Sequence, residues 1–417
     1  VDQAKLAAEL NQLYADYWEA NLKLNPLNAT FIGDNRYNAE MPNFFSAEYR
    51  RQAHDLSQSW LDKALALDGT RLEGPGRISY EIFVRERQLE LEGEKFPDWM
   101  MPIDQFTNIA AFVTVLGSGN SAQPFKAVED YDNWLKRGAA IPAIYDQAIA
   151  NMREGMKAGV VQPKALMLKV IPQLDAIIND DPAKTTFWGP ITNMPKEFSA
   201  EDQKRLTEAY RVMIAEQLMP AYKRLRAFIA DEYLPATRES VSLSALPDGE
   251  AWYAFNAKTQ TTTELTPAEI HEIGLKEVAR IRAKMEKVKD QAGFKGSMAE
   301  FFTYLRSDPK FFYKDAASLL AGYRDIGKRI DPELPKLFAE LPRIPYGVRA
   351  IPAHEGAGVS DRYQNPAADG TTAGWFEANV VALGERPTWQ METLMAHESV
   401  PGHHLQLSIA RELKGLP

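Results

Sequence analysis

His397-Glu398-Ser399-Val400-Pro401-Gly402-His403-His404 is the stretch on which the reading of this chain turns. It holds three of the six histidines and a carboxylate within eight residues. Histidine is the commonest protein metal ligand, and a glutamate directly after a ligand histidine is the usual general base on a metalloprotease helix. The familiar zinc-hydrolase helix separates its two histidines by three residues, whereas five lie between His397 and His403. On an unbroken helix, positions i and i+6 differ by ~240° in azimuth and ~9 Å in rise, while i+7 returns to the same face ~10.5 Å along the axis. Zn–N bonds of about 2.0–2.1 Å require the ligating nitrogens to lie within roughly 3.5 Å of each other. A straight helix therefore fails for His403 and for His404.

Pro401-Gly402 changes that outcome. Pro401 drives Val400 out of the α region and removes an amide donor, and Gly402 tolerates a positive φ. The pair is expected to end one helix, make a tight turn and let a second helix begin near His403. Pro387-Thr388 starts the first helix, with Trp389, Leu394 and Met395 on its apolar face. Leu405, Leu407, Ile409 and Leu413 serve the second, which Gly415 ends. Such a helix–turn–helix folds His403 back beside His397 as candidate metal ligands. Glu398 is then the candidate base toward a metal-activated water that attacks a polarised carbonyl. His404 and Gln406 are candidates for a further ligand or for the groups that hold the ligands. On the residues alone, a bland alternative stands equally: the histidines cap and pack a helical corner, with Glu398 in water.

The rest of the composition narrows the chemistry. The 417-residue chain is 45% hydrophobic and 25% charged, ordinary for a globular protein with a large core. Its net charge of −9 comes from 57 acidic and 48 basic residues without a basic cluster, which argues against nucleic acid as a partner. No cysteine is present, so thiolate ligands, disulfides and Cys nucleophiles are excluded, and a transition-metal site must use His, Asp and Glu. No run approaches the ~18–20 apolar residues of a membrane span. The opening Val1-Asp2-Gln3 is compatible with a processed leader and export.

Helical periodicity dominates residues 1–240. Leu6, Leu10, Leu13, Tyr14 and Tyr17 form one stripe, and further helices are expected at about 47–68, 78–93 and 128–156, after Pro163, and over 198–232 with an interruption at Pro220. The Pro- and Ser-rich segment 234–249 suggests a boundary, giving a helical N-terminal region 1–240 and a second region 241–417 that carries the histidine motif. Trp252-Tyr253-Ala254-Phe255 and the threonines that follow favour a short strand. Thr266-Pro267-Ala268-Glu269 reads as a capping box opening a helix toward 290, and helices are expected over 298–306 and 314–340. Residues 341–388 are rich in Gly, Pro and Asn, with β-favouring pieces at Tyr346–Ile351 and Trp375–Leu383. The fold class is mainly α, with a small sheet or hairpin beside the motif helices.

His-Glu-x-x-Pro-Gly-His-His-x-Gln, here His397 to Gln406, resembles the signature of the bacterial domain-of-unknown-function family 885. Its members are often exported lipoproteins and are regarded as zinc-metallopeptidase-like, related to the gluzincins. The resemblance covers most of the chain. It includes YDNWLKRG with REGMKAGVVQPKALMLKVIPQL downstream, LTPAEIHEIGLKEVARI at 265–281, and Asp369-Gly370, Gly374 and Asn379 before the motif. It implies a large helical gluzincin-like architecture, His397 and His403 as zinc ligands, and Glu398 as the base of a carboxypeptidase-like peptidase acting on short peptides. It also implies an exported, periplasmic or cell-envelope protein, touching a membrane only through an N-terminal lipid anchor outside this chain. In gluzincin-like enzymes a third ligand, a glutamate, follows some tens of residues downstream. Glu412 is the one carboxylate after the motif, so that ligand is expected beyond Pro417, in a continuation of the second region.

His354, Tyr363 and Asn379 are candidates for binding substrate, Tyr363 with Arg362 as oxyanion donors and Asn379 by strand-edge pairing with a peptide. His271 and His54 read as packing or solvated residues. Gly117-Ser118-Gly119-Asn120 lacks the strand–loop–helix context of a phosphate cradle, and no Gly-x-Ser-x-Gly elbow supports a serine hydrolase. The alternative from another functional class is a peptide-binding or surface lipoprotein that keeps the fold without turnover.

Overall fold

Leu6, Leu10, Leu13 and Tyr14 recur at helical spacing because they form the buried side of the first helix, α1 (Gln3–Leu24). The structure, a computed structural model, describes residues 3–351, 360–366 and 372–415. It is 69% helix and 4% strand, which makes the fold mainly α with one small sheet. The chain divides into two compact units, Val1–Ile270 and His271–Leu416.

The first unit contains α1, α2 (Pro26–Phe31), α3 (Ala47–Leu67), α4 (Gly74–Gly93), α5 (Ile109–Leu116), α6 (Val128–Ala158), α7 (Lys164–Ile177), α8 (Gly189–Thr192), α9 (Ala200–Val212), α10 (Met219–Ala227), α11 (Leu234–Ala236) and α12 (Gly249–Thr261). Its main core gathers around α6, where Tyr131, Trp134, Ile141 and Tyr145 meet Phe187, Tyr210 and Tyr222. Arg137 lies fully buried in α6. Its guanidinium donates to the carbonyl oxygens of Glu40 and Tyr37 at 3.0 Å each, to Thr30 Oγ1 at 2.8 Å and to the Gln123 side chain. Burial pulls its pKa down to about 10. The residue therefore ties the loop after α2 to the long helix through neutral acceptors.

Two expectations for this unit fail, each for a physical reason. Pro220 does not interrupt the helix at 198–232: α9, α10 and α11 join through π-helical stretches at Met213–Leu218 and Phe228–Tyr233, without a break from 200 to 236. Each π stretch ends two residues before a proline, Pro220 or Pro235. Proline lacks an N–H and its ring collides with the carbonyl four residues back, and the wider i→i+5 turn relieves both problems. The strand expected at Trp252–Phe255 is helix α12. Trp252 stacks on Phe96 at 5.6 Å, Phe255 leans on the same ring at 5.3 Å, and Thr259 Oγ1 donates back to the Phe255 carbonyl. Tertiary packing and a local back-bond override the β propensity of these residues. Residues 241–266, grouped by composition with the later region, fall in the first unit, where Leu246 and Trp252 are buried with Phe96 and Val160.

The second unit contains most of α13 (Pro267–Gln291), then α14 (Met298–Ser307), α15 (Ala316–Ile330), three strands, α16 (Met391–Glu398) and α17 (His403–Glu412). The capping box at the start of α13 is present: the Thr266 N–H donates to Glu269 Oε2 at 2.8 Å, and the Glu269 N–H to Thr266 Oγ1 at 3.2 Å. Strands β1 (Tyr346–Ala350), β2 (Arg362–Gln364) and β3 (Gly374–Ala378) make one sheet in the order β1-β3-β2. β1 runs parallel to β3, Val348 opposite Phe376, and β2 runs antiparallel to it, Tyr363 opposite Phe376. Phe376 is fully buried against Tyr323 of α15, with ring centroids 4.8 Å apart, in a core shared with Met391 and Met395 of α16. The sheet therefore anchors the helix that carries His397. No described helix is long and apolar enough to cross a membrane.

Candidate metal centre

The turn between α16 and α17 forms where Pro401-Gly402 requires it, and α17 opens at His403. Its hydrogen bonds fold the chain back on itself: the Gly402 N–H donates to the Ala396 carbonyl at 2.9 Å, and the His404 N–H to the Ser399 carbonyl at 2.9 Å. The Val400–Pro401 peptide is cis. Gly402 has φ −79°, so the positive φ expected of it is not what selects glycine. Close approach does: a Cβ on Gly402 would stand 2.5 Å from the Ala396 carbonyl oxygen and would overlap that of His397. Val400 sits under the turn in a small core with Leu334 and Leu405, which fixes α17 from below.

This turn brings His397 and His403 together. Their rings lie 4.8 Å apart at 89°, and one ligand atom from each of His397, Glu398 and His403 falls within 4.8 Å of the others. His397 is exposed, Glu398 is 7% exposed, and His403 is intermediate. Glu398 Oε2 stands 3.8 Å from His403 Nε2. Burial raises the Glu398 carboxyl above its ordinary pKa, and the two histidines pull the other way. Two imidazoles and a carboxylate, open to solvent on the His397 side, form a nitrogen and oxygen donor set that suits zinc or another borderline divalent ion. The spread of these atoms exceeds ligand spacing around one ion by roughly 1 Å, within reach of side-chain torsions.

His404 does not join them. It is 2% exposed, and its ring nitrogens are both engaged on the sheet side. Nε2 stands 2.8 Å from the Ile344 carbonyl oxygen, which can only accept, so Nε2 carries the proton. Nδ1 then accepts from the Tyr363 hydroxyl at 2.8 Å, with Ser408 Oγ at 3.3 Å. Burial lowers the pKa of this ring, consistent with a neutral imidazole. Consecutive helical residues point ~100° apart, so of two neighbouring histidines only one can face the same ion. The doubled His403-His404 contained that signal.

The remaining candidates fall in several places. Tyr363 braces His404 and lies with its ring near-parallel to His403, centroids 6.1 Å apart. Arg362 and Arg349 clamp Glu377 on β3, which is 3% exposed, with contacts of 2.6–2.9 Å. Asn379 follows the central strand β3, whose two edges are both paired, so edge pairing with a peptide is not available there. Its N–H donates to Asp361 Oδ1 and its side-chain oxygen accepts from the Val381 N–H, fixing the chain on its way to α16. Gln406 is exposed on α17. Glu412 Oε1 accepts from the Arg343 N–H at 2.8 Å, apart from the histidine cluster. His354 and the Asp369-Gly370 pair lie outside the described residues.

Several solved structures share this fold, two of them bacterial proteins of related description. A protein described as "the putative lipoprotein from Colwellia psychrerythraea" superposes with a TM-score of 0.81 at 20% identity, over 98% of this chain and 73% of its own. Another, "a putative lipoprotein of unknown function from Shewanella oneidensis", superposes with a TM-score of 0.73 at 15% identity, over 100% of this chain and 73% of its own. No curated protein sequence matches the chain. Residues 26–417 match the family described as "Bacterial protein of unknown function (DUF885)", and the chain belongs to that family.

Proposed function

We propose that this protein is a divalent-metal-dependent peptidase, with zinc as the metal, His397 and His403 as ligands and Glu398 as general base. The observation that carries this reading is the meeting of His397, Glu398 and His403 across a turn that only glycine fits. When bound, the metal supplies Lewis acidity toward a substrate carbonyl and toward water. Glu398 takes up the proton released on attack. Its burial favours that role, because a carboxylate with a raised pKa is a stronger base near neutral pH. His404, Tyr363 and the Ile344 carbonyl hold α17 in rotation, so that His403 faces His397. Glu412 is held by Arg343 and is not among the donors gathered at His397 and His403.

Short peptides as substrates, and a gluzincin-like architecture, rest on the family resemblance of the motif. Export to the cell envelope is supported by the lipoprotein descriptions of the two solved relatives. The test is metal content and peptide hydrolysis of the full-length protein. We expect stoichiometric zinc, lost in His397→Ala, and hydrolysis lost with zinc retained in Glu398→Gln. A full-length protein that binds neither zinc nor cobalt would sink the peptidase. Zinc binding without turnover on any peptide library would favour a peptide-binding lipoprotein.

A further inference from the structure

Helix α13 spans 25 residues without one buried side chain. Five of its large apolar residues lie on one stripe: Ile273, Val278, Ile281, Met285 and Val288, from 36% to 66% exposed. At 100° per residue they occupy an arc about 140° wide, running ~22 Å along the axis. Soluble proteins rarely leave an apolar strip of that length in water. Alongside it, Ile281, Met285 and Val288 face Met298, Phe302 and Leu305 across a groove of about 430 Å³.

Gly274 falls on the same stripe. Glycine inside a helix lowers its stability relative to alanine, and a Cβ there would meet nothing within 4 Å. Nothing described here needs that glycine, and the usual reason for one at such a place is close approach of another backbone. The charges along α13 are uneven as well. From 279 to 291 the helix carries Arg280, Arg282, Lys284, Lys287 and Lys289 against Glu286 and Asp290.

We propose that this stripe docks an amphipathic α-helix of the same protein, with acidic residues flanking its apolar face, crossing α13 closest at Gly274. The two solved relatives point to its source. This chain is covered almost completely by each of them, yet it accounts for only 73% of either, so about a quarter of their polypeptide has no counterpart in it. A helix fits the site because the stripe follows the 3.6-residue repeat and is one helix wide.

The experiment compares hydrogen exchange of residues 273–288 in this 417-residue chain and in the protein made from its complete coding sequence. The complete protein should exchange there at least about tenfold more slowly. Gly274→Leu should leave the melting temperature of the 417-residue chain unchanged or raised and should lower that of the complete protein. Equal exchange in both forms, or a coding sequence that adds no further helix, would overturn the proposal. So would protection in the 417-residue chain alone that appears with a doubling of its mass, which assigns the stripe to a second copy. Protection that requires anionic vesicles would overturn it in favour of a membrane surface.

Discussion

Replacing Gly402 by alanine tests how the site is built. The new Cβ would stand 2.5 Å from the Ala396 carbonyl oxygen and closer still to that of His397. Ordinary carbon–oxygen contact needs about 3.4 Å, so the turn must open by roughly 1 Å or more. Both obstructing atoms are backbone at the end of α16, and no flexible side chain can yield. Overpacking of this kind costs ~1–3 kcal/mol, and the rigid neighbours place this case near 3. For a unit of about 150 residues that is a fall in melting temperature of ~6–12 °C. The same opening separates His397 from His403, adding to the roughly 1 Å that their side chains must already close around one ion. Gly402→Ala should therefore lose both stability and zinc affinity, measured by circular dichroism melting and by competition against a chelating dye. Gly384→Ala is the control, because a Cβ there meets nothing within 4 Å. If Gly402→Ala melts within 1–2 °C of the parent protein and binds zinc equally well, close approach is not why glycine stands there.

Other consequences can be measured on the same preparations. Arg137→Met should destabilise the first unit by about 3 kcal/mol or more in urea, since the carbonyls of Glu40 and Tyr37 lose a buried donor; a loss under 1 kcal/mol would refute that account. Glu377→Ala leaves Arg349 and Arg362 without their shared carboxylate. Because both guanidinium groups reach solvent, the expected loss is about 2–3 kcal/mol, and an unchanged urea midpoint would count against the clamp. His404→Phe keeps a ring but abandons the Ile344 carbonyl and Tyr363. It should lower zinc affinity ~10–100-fold without removing a ligand, and unaltered affinity would show that His404 does not position α17.

Much of the candidate site was legible in the sequence because it rests on local rules. Proline excludes the straight helix, helix geometry then demands a turn, and the turn forms at Pro401-Gly402 with α17 opening at His403. What glycine does there was not legible, since the Ala396 and His397 carbonyls come close only once the turn exists. The role of His404 depends on partners 41 and 60 residues away, and no local pattern announces them. The pairing of β1 with β3 is likewise nonlocal, and short β2 carries too few residues to stand out. At Trp252–Phe255 residue preference pointed to a strand, and contact with Phe96 decided for a helix. Pro220 misled because a single proline has two outcomes, a break or a widened turn, and the surrounding core selects between them.

The adjacency of His403 and His404 bears on how this site can change over generations. One residue faces solvent while the next, a single peptide unit away, is held at both ring nitrogens by the sheet side. The orientation of His403 is therefore inherited from the interior and not from the surface. Substitutions on the exposed side of α17, Gln406 among them, can accumulate without disturbing His403. Changes at Tyr363 are transmitted through His404 to the histidine pair. Sequence drift has open ground on one side of that helix and almost none on the other.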